Sequence, residues 1–154
     1  MSALHPVVVG YDGSAGAKLA LRVAVREAQA HGVGLRILTV WHPASVNAAA
    51  VAFTTAPDSN FSTELADAMP SVLAEAKALV HEYAPELQTE TLLVEGRAAT
   101  ELCRAGIDAT ILVVGRRGHG AVAELILGSV SHQCVIHSSC PVLVVPHAGD
   151  DATS

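Results

Sequence analysis

The residues of this chain best suited to chemistry are four glycines and two serines between positions 115 and 131: Gly115, Gly118, Gly120, Gly128, Ser129 and Ser131. They follow Ile111-Leu112-Val113-Val114, a short apolar run that reads as a buried strand. The chain therefore leaves a strand, turns on glycines and starts a helix at Gly128-Ser129. Glycine allows positive φ and lets a ligand come close to the main chain. A helix start adds unpaired N–H groups and the positive end of the macrodipole. Phosphate is the anion such a place holds best, and Arg116, Arg117 and His119 add positive charge to the same loop. Gly115 to Ala121, with Gly128, Ser129, Val130 and Ser131, form a candidate phosphate cradle of a nucleotide-binding protein.

A second candidate group is Gly10-Tyr11-Asp12-Gly13-Ser14, which follows the apolar run Val7-Val8-Val9. A carboxylate there can hold ribose hydroxyls or an amino group. Its plainer role is to cap the next helix or favour its dipole. Two other clusters carry less. His132, Cys134, His137 and Cys140 mix imidazole and thiol as zinc sites do. On a helix of 3.6 residues per turn, however, His132 and Cys134 point far apart, so no metal set is assigned. Ser129, Ser131 and His132 lack the three- or four-residue spacing that brings helix side chains together, and no third group orients them. No catalytic residue is assigned.

The elements that position these residues can be read from periodicity. Strand 1 is the run Pro6 to Asp12, ended by its turn residues, and Ser14 is a candidate N-cap for a helix with inner face Ala17, Ala20, Leu21, Ala24, Val25 and Ala28. Gly32 and Gly34 end it, and Leu35 to Val40 is strand 2. From Trp41 to about Phe61 the pattern dissolves into Ala, Ser, Thr, Asn and Pro, as in a lid or insertion. A second helix follows, with Leu65, Met69, Val72, Leu73, Ala76, Leu79, Val80 and Tyr83 inward; Pro70 either kinks it or opens its regular part. Thr89 to Val94 is strand 3, Ala98 to Cys103 a short helix, Thr110 to Val114 strand 4, Ser129 to His137 a fourth helix and Pro141 to Val145 strand 5. The polar tail from His147 frays.

Strand and helix alternate five times, which predicts an α/β fold: a doubly wound five-stranded parallel sheet with helices on both faces. In such sheets the ligand sits beyond the C-terminal strand ends where the strand order reverses. The order 3-2-1-4-5 makes strands 1 and 4 neighbours there, which brings the two candidate groups together. A length of 154 residues suits a single domain, 1–154. Composition is 51% hydrophobic but 3% aromatic, so the core is built from Ala, Val, Leu and Ile. The net charge of −6 argues against bulk nucleic-acid or anionic-membrane binding. No apolar run is long enough to span a bilayer, and Met1 to Pro6 lacks a signal-peptide shape. Three cysteines without a C-x-x-C pair fit reduced thiols in a cytoplasmic protein.

No G-x-x-x-x-G-K-[ST] is present, and Gly10-Tyr11-Asp12-Gly13 does not fit the dinucleotide fingerprint G-x-G-x-x-G. A phosphoacceptor receiver needs an acidic cluster and a lysine after strand 5; the chain has Asp12, then Pro146 and His147. What fits is G-x2-G-x9-G-[ST], met by Gly115, Gly118, Gly128 and Ser129. With Val7 to Ser14, Val94-Glu95-Gly96, Gly128 to Ser131 and Cys140 to Val145, the chain resembles the universal stress protein family in its ATP-binding branch, over nearly its whole length. The resemblance implies a Rossmann-like nucleotide-binding, stress-response protein with ATP, AMP or ADP as ligand and Mg2+ as a companion ion. It implies that Gly115 to Ala121 wraps phosphates and ribose, and that Ser129 and Val130 meet the phosphates. Asp12 and Gly10 would lie against the adenosine, and the Val40 main chain would read the adenine edge. It also implies a homodimer through Pro141 to Val145. The chain departs from the family by Arg116, Arg117 and His119 in the loop, by Glu124 within the nine-residue spacer, and by Thr110 where the family more often has aspartate. With only Asp12 and Glu124 near the phosphates, any ATP hydrolysis is expected to be slow.

Overall fold

The structure is a computed structural model that describes residues 4–42, 60–116 and 127–146, with the side chains of 60–66 left aside. Its strands are β1 (Val7–Gly10), β2 (Leu35–Trp41), β3 (Thr89–Glu95), β4 (Ile111–Gly115) and β5 (Val142–Val145). Its helices are α1 (Ala15–His31), α2 (Asn60–Tyr83), α3 (Ala98–Ala105) and α4 (Ser129–His137), with a 3-10 turn at Gly106–Asp108. All strand pairs are parallel, and the sheet order is β3-β2-β1-β4-β5 as expected. The segment 43–59, the loop residues 117–126 and the tail from 147 lie outside the described residues.

Local chemistry explains the elements. Ser14 is the N-cap of α1: its φ/ψ of −66°/161° is extended and its hydroxyl accepts the Ala17 N–H at 3.1 Å. Gly32 ends α1 at φ 65°, a left-handed conformation that glycine adopts without Cβ strain. Between them Ala17, Ala20, Leu21, Ala24, Val25 and Ala28 are buried, the stripe its periodicity predicts. The small alanines let α1 lie close on the sheet, where Val7, Val9, Ile37 and Val113 meet it. α2 covers the same face through Ala76 and Val80, joined by Ala84 just after its end. Leu102 of α3 and Cys134 of α4 cover the other face, against Val8, Leu38, Leu112 and Val114. Continuous apolar strands such as Val7-Val8-Val9, wholly buried, are what a sheet covered on both faces requires.

Several boundaries differ from expectation. α2 runs through Pro70, which neither starts nor ends it. β2 and β3 each reach one residue further, to Trp41 and Glu95, where the two are in register. Thr110 precedes β4; its N–H donates to the Pro6 carbonyl at 2.9 Å and its hydroxyl to that of His5, so it anchors the strand without belonging to it. Pro141 stands before β5 because it lacks an N–H, yet its carbonyl accepts the Leu112 N–H at 2.9 Å.

Leu21 is fully buried between α1 and the sheet. Leu21→Ala is expected to lower unfolding free energy by about 2–5 kcal/mol, measured by urea denaturation.

Candidate functional site

The geometry begins with opposite crossovers. From β1 the chain moves through α1 on one face to β2; from β3 it returns through α3 on the other face to β4. The loops after neighbouring β1 and β4 therefore part in opposite directions and leave a crevice at the C-terminal edge.

One wall is the turn after β1. Gly10 lies against α3, where an added Cβ would stand 3.1 Å from both Leu102 methyls. Tyr11 continues the strand: its N–H donates to the Leu38 carbonyl at 2.9 Å, and its carbonyl accepts the hydroxyl of the buried Thr39 at 2.7 Å. Asp12 is exposed, and its Oδ1 accepts the Ser14 N–H at 3.0 Å. Gly13 turns at φ 81°. Part of Asp12's capping role is thus present, since one carboxylate oxygen holds the turn that starts α1.

β2 outruns β1. The register of the pair ends at Gly10 opposite Leu38. Main-chain groups alternate sides along a strand, so those of Val40 point the way those of Leu38 do, toward β1 and past its end. On its other side β2 is tied to the turn after β3, where the Gly96 N–H donates to the Trp41 carbonyl at 2.9 Å.

The other wall is built on β4. The Arg116 N–H donates to the Val145 carbonyl at 2.8 Å, and the Arg116 carbonyl accepts the Gly128 N–H at 2.8 Å. Ser131, buried in α4, directs its hydroxyl at the same Arg116 carbonyl (2.8 Å) and at that of Gly128 (3.0 Å). The two ends of the glycine loop, residues 116 and 128, are thereby fixed together. Gly128 is the N-cap of α4 with φ/ψ −67°/163°, and no side chain caps that helix. First-turn amides of such a helix have no intrahelical acceptor and favour an anion.

The structure thus brings Gly10, Asp12, Val40, Gly115, Arg116, Gly128, Ser129, Val130 and Ser131 to one edge of the sheet. Arg117, Gly118, His119, Gly120, Ala121 and Glu124 lie outside the described residues. Two details revise the sequence reading. Among the described residues positive φ occurs at Gly13, Gly32 and Gly96, so Gly115 and Gly128 do not adopt left-handed geometry. Ser131 donates to main-chain carbonyls, while Ser129 is exposed and Val130 packs into the α3–α4 core.

Sequence reasoning missed the partners that hold this edge: Thr39, Lys18 and Glu75. Tyr11 is buried, and its hydroxyl donates to Glu75 of α2 at 3.1 Å. Lys18 Nζ lies 2.8 Å from the other Glu75 oxygen. These bonds from Lys18 and Tyr11 hold the Glu75 carboxyl below its usual range, while burial and that carboxylate push the Tyr11 phenol up. No periodicity marks Glu75, which occupies a solvent-side position of α2. The thiols take a different part: burial, with Cys103 and Cys140 nearby, pushes the fully buried Cys134 up to about 12. Among the described residues no group of three or more His, Cys, Asp or Glu is arranged to hold a metal, and no helix is long and apolar enough to cross a membrane.

Residues 3–146 match the universal stress protein family. The chain is 37% identical over 141 residues to "Universal stress protein in QAH/OAS sulfhydrylase 3'region" of Thermus aquaticus, covering 90% of this chain and 96% of that protein. It is 34% identical over 139 residues to a universal stress protein of Mycobacterium tuberculosis, again across 90% of this chain but only 44% of the relative's length. A crystal structure of a universal stress protein in complex with cAMP superposes with a TM-score of 0.67 at 26% identity, over 95% of this chain and all (100%) of that one.

Two serines two residues apart on α4 should separate experimentally. Ser131→Ala removes the side-chain part of the tie between residues 116 and 128 and is expected to lower stability by about 1–2 kcal/mol. Ser129→Ala, on the exposed start of the helix, should stay within about 0.5 kcal/mol of the parent in the same urea titration. A thiol reagent at pH 8 should leave Cys134 unmodified until the protein unfolds, because only the thiolate reacts.

Proposed function

The chain belongs to the universal stress protein family, and we propose that it is a binding module for an adenine nucleotide, ATP or AMP, held in the crevice between the β1 and β4 loops. The observation that carries this reading is the joined pair Arg116–Gly128, which sets an uncapped helix start beside the strand-order reversal and opposite Asp12. The relative of known structure that binds cAMP shares this fold end to end. Phosphates belong at the amides of Ser129 and Val130 and along the Gly115–Ala121 loop, with Arg116 and Arg117 adding charge. The Asp12 carboxylate faces the ribose or amino group, and the Val40 main chain, pointing past the end of β1, reads the adenine edge. The reading is of binding rather than turnover, because the Asp12 carboxylate is engaged in its own turn at 3.0 Å.

Calorimetric titration of ATP and AMP into nucleotide-free protein tests the site. Gly118→Ala should weaken ATP binding by crowding the loop. Asp12→Asn keeps an oxygen for the Ser14 N–H but removes the charge; a lost bond to a charged group corresponds to about a ten- to hundredfold loss of affinity. Undetectable binding by the parent, or full affinity in Gly118→Ala, rules the reading out.

We further propose a homodimer through β5. It is an edge strand of the sheet, with Val142, Leu143 and Val144 half-buried and the α4 residues Val135 and Ile136 exposed nearby. An apolar edge without charges invites pairing with a second copy. Light scattering should give a dimer at micromolar concentration and a monomer for Val144→Lys; a monomeric parent refutes the pairing.

A further inference from the structure

We propose that Glu75 of α2 is a positioning residue for the nucleotide site: through Tyr11 it fixes the Asp12 turn and so sets nucleotide affinity without touching the nucleotide. The inference deepens the functional reading above and rests on it. Tyr11 is held at three points. Its N–H is bonded to Leu38 and its carbonyl to Thr39, both in β2. Its hydroxyl is bonded to Glu75 at 3.1 Å, across 64 residues of sequence. The first two bonds fix the main chain on the strand side of Asp12. The third fixes the side chain that precedes it.

Glu75 also sits over the turn itself. An added Cβ on Gly13 would lie 3.7 Å from Val72 Cγ1 and 4.0 Å from Glu75 Oε2. One carboxylate oxygen thus faces both Gly13 and the Tyr11 hydroxyl, and the other takes Lys18 Nζ at 2.8 Å. Lys18 stands on the first turn of α1, whose N-cap Ser14 is bonded to Asp12. The carboxylate therefore gathers a residue before Asp12 and a residue after it onto a third element. The Lys18–Glu75 pair is 45% and 44% exposed, so by itself it adds little to stability. The Tyr11 bond is the stronger constraint, because the ring is 3% exposed and its hydroxyl would lose its partner in a place water reaches poorly.

A residue that acts this way leaves two marks. The amides of Ser14 and Ala17, bonded to Asp12 Oδ1 and Ser14 Oγ, should become less protected when Glu75 is removed. Nucleotide affinity should fall with them. The variants are Glu75→Ala, Glu75→Gln, Tyr11→Phe and the double variant Tyr11→Phe/Glu75→Ala, with Lys77→Ala on the exposed side of α2 as control. Amide hydrogen exchange of the nucleotide-free proteins is read first, then ATP titration. Glu75→Ala and Tyr11→Phe should each raise Ser14 and Ala17 exchange and weaken ATP binding about three- to tenfold, the scale of one part-buried hydrogen bond. The double variant should be no worse than the worse single one, because both remove the same link. Glu75→Gln, which still accepts from the phenol, should retain most of the affinity.

Unchanged exchange at Ser14 and Ala17 in Glu75→Ala overturns the proposal whether or not ATP binds. Raised exchange with full ATP affinity overturns it as well. Absence of ATP binding in the parent refutes the functional reading and the affinity half of this inference together. The exchange result then still decides whether Glu75 holds the turn, so the two failures are told apart.

Discussion

The crevice depends on one topological constraint: β1 and β4 lie side by side but send their chains to opposite faces. A right-handed crossover from β1 to β2 places α1 on one face, and the return from β3 to β4 places α3 on the other. Nothing in the sheet's own hydrogen bonding can fill the gap between the two departing loops. Polar main-chain groups accumulate there: the Val40 peptide past the end of β1, and the first-turn amides of α4. An apolar core on both faces forces those groups to one edge, and that edge is where a polar, phosphate-bearing ligand has something to bond.

Keeping the edge open requires that both departing loops be tied back. The β1 side is tied by side chains, with Thr39 holding the Tyr11 carbonyl and Glu75 its hydroxyl. The β4 side is tied mainly by main chain, with Arg116 bonded to Val145 and Gly128, and Ser131 closing the same joint from within α4. Buried Thr39 and Ser131 are 1% and 2% exposed, and both hydroxyls donate to carbonyls at this edge. Buried polar groups are tolerated when bonded, and here each serves to fix a loop rather than to stabilise the core at large. A protein with so few aromatic residues gains its packing from many small contacts. These few directed bonds then decide where the loops sit.

The strands, the helices and their order were legible because each rests on a local pattern. Ser14 announces the start of α1, Gly32 its end, and the spacing of Ala17, Ala20, Leu21, Ala24, Val25 and Ala28 its inner face. Unbroken apolar strands announce a sheet covered on both sides. Long-range bonds were not legible. That Thr39 would be buried with its hydroxyl on Tyr11, or that Glu75 would reach across 64 residues, depends on how β2 pairs with β1 and how α2 packs on β2, β3 and α1. Ser131 was read as a ligand residue from its place beside Gly128-Ser129, whereas its burial turns the hydroxyl toward carbonyls. Pro70 shows the limit of a local rule: tertiary packing of Ala76 and Val80 carries α2 through a residue that disfavours a helix interior.

The two walls differ in what a mutation can reach. On the β4 wall the groups at the helix start are main-chain amides, which survive any substitution except proline; an added side chain or a lost tie alters them indirectly. On the β1 wall the facing group is a carboxylate whose orientation passes through Tyr11 to a helix formed far along the chain. Charge and position are therefore separable at Asp12: the first belongs to its own side chain, the second to residues that never enter the crevice. In the site proposed above, affinity is expected to be tuned through the β1 wall, with the anion held by the backbone of the β4 wall. That division follows from the fold, since the turn after β1 is held by side chains of β2 and α2, whereas the two ends of the loop after β4 meet main chain to main chain at Arg116 and Gly128.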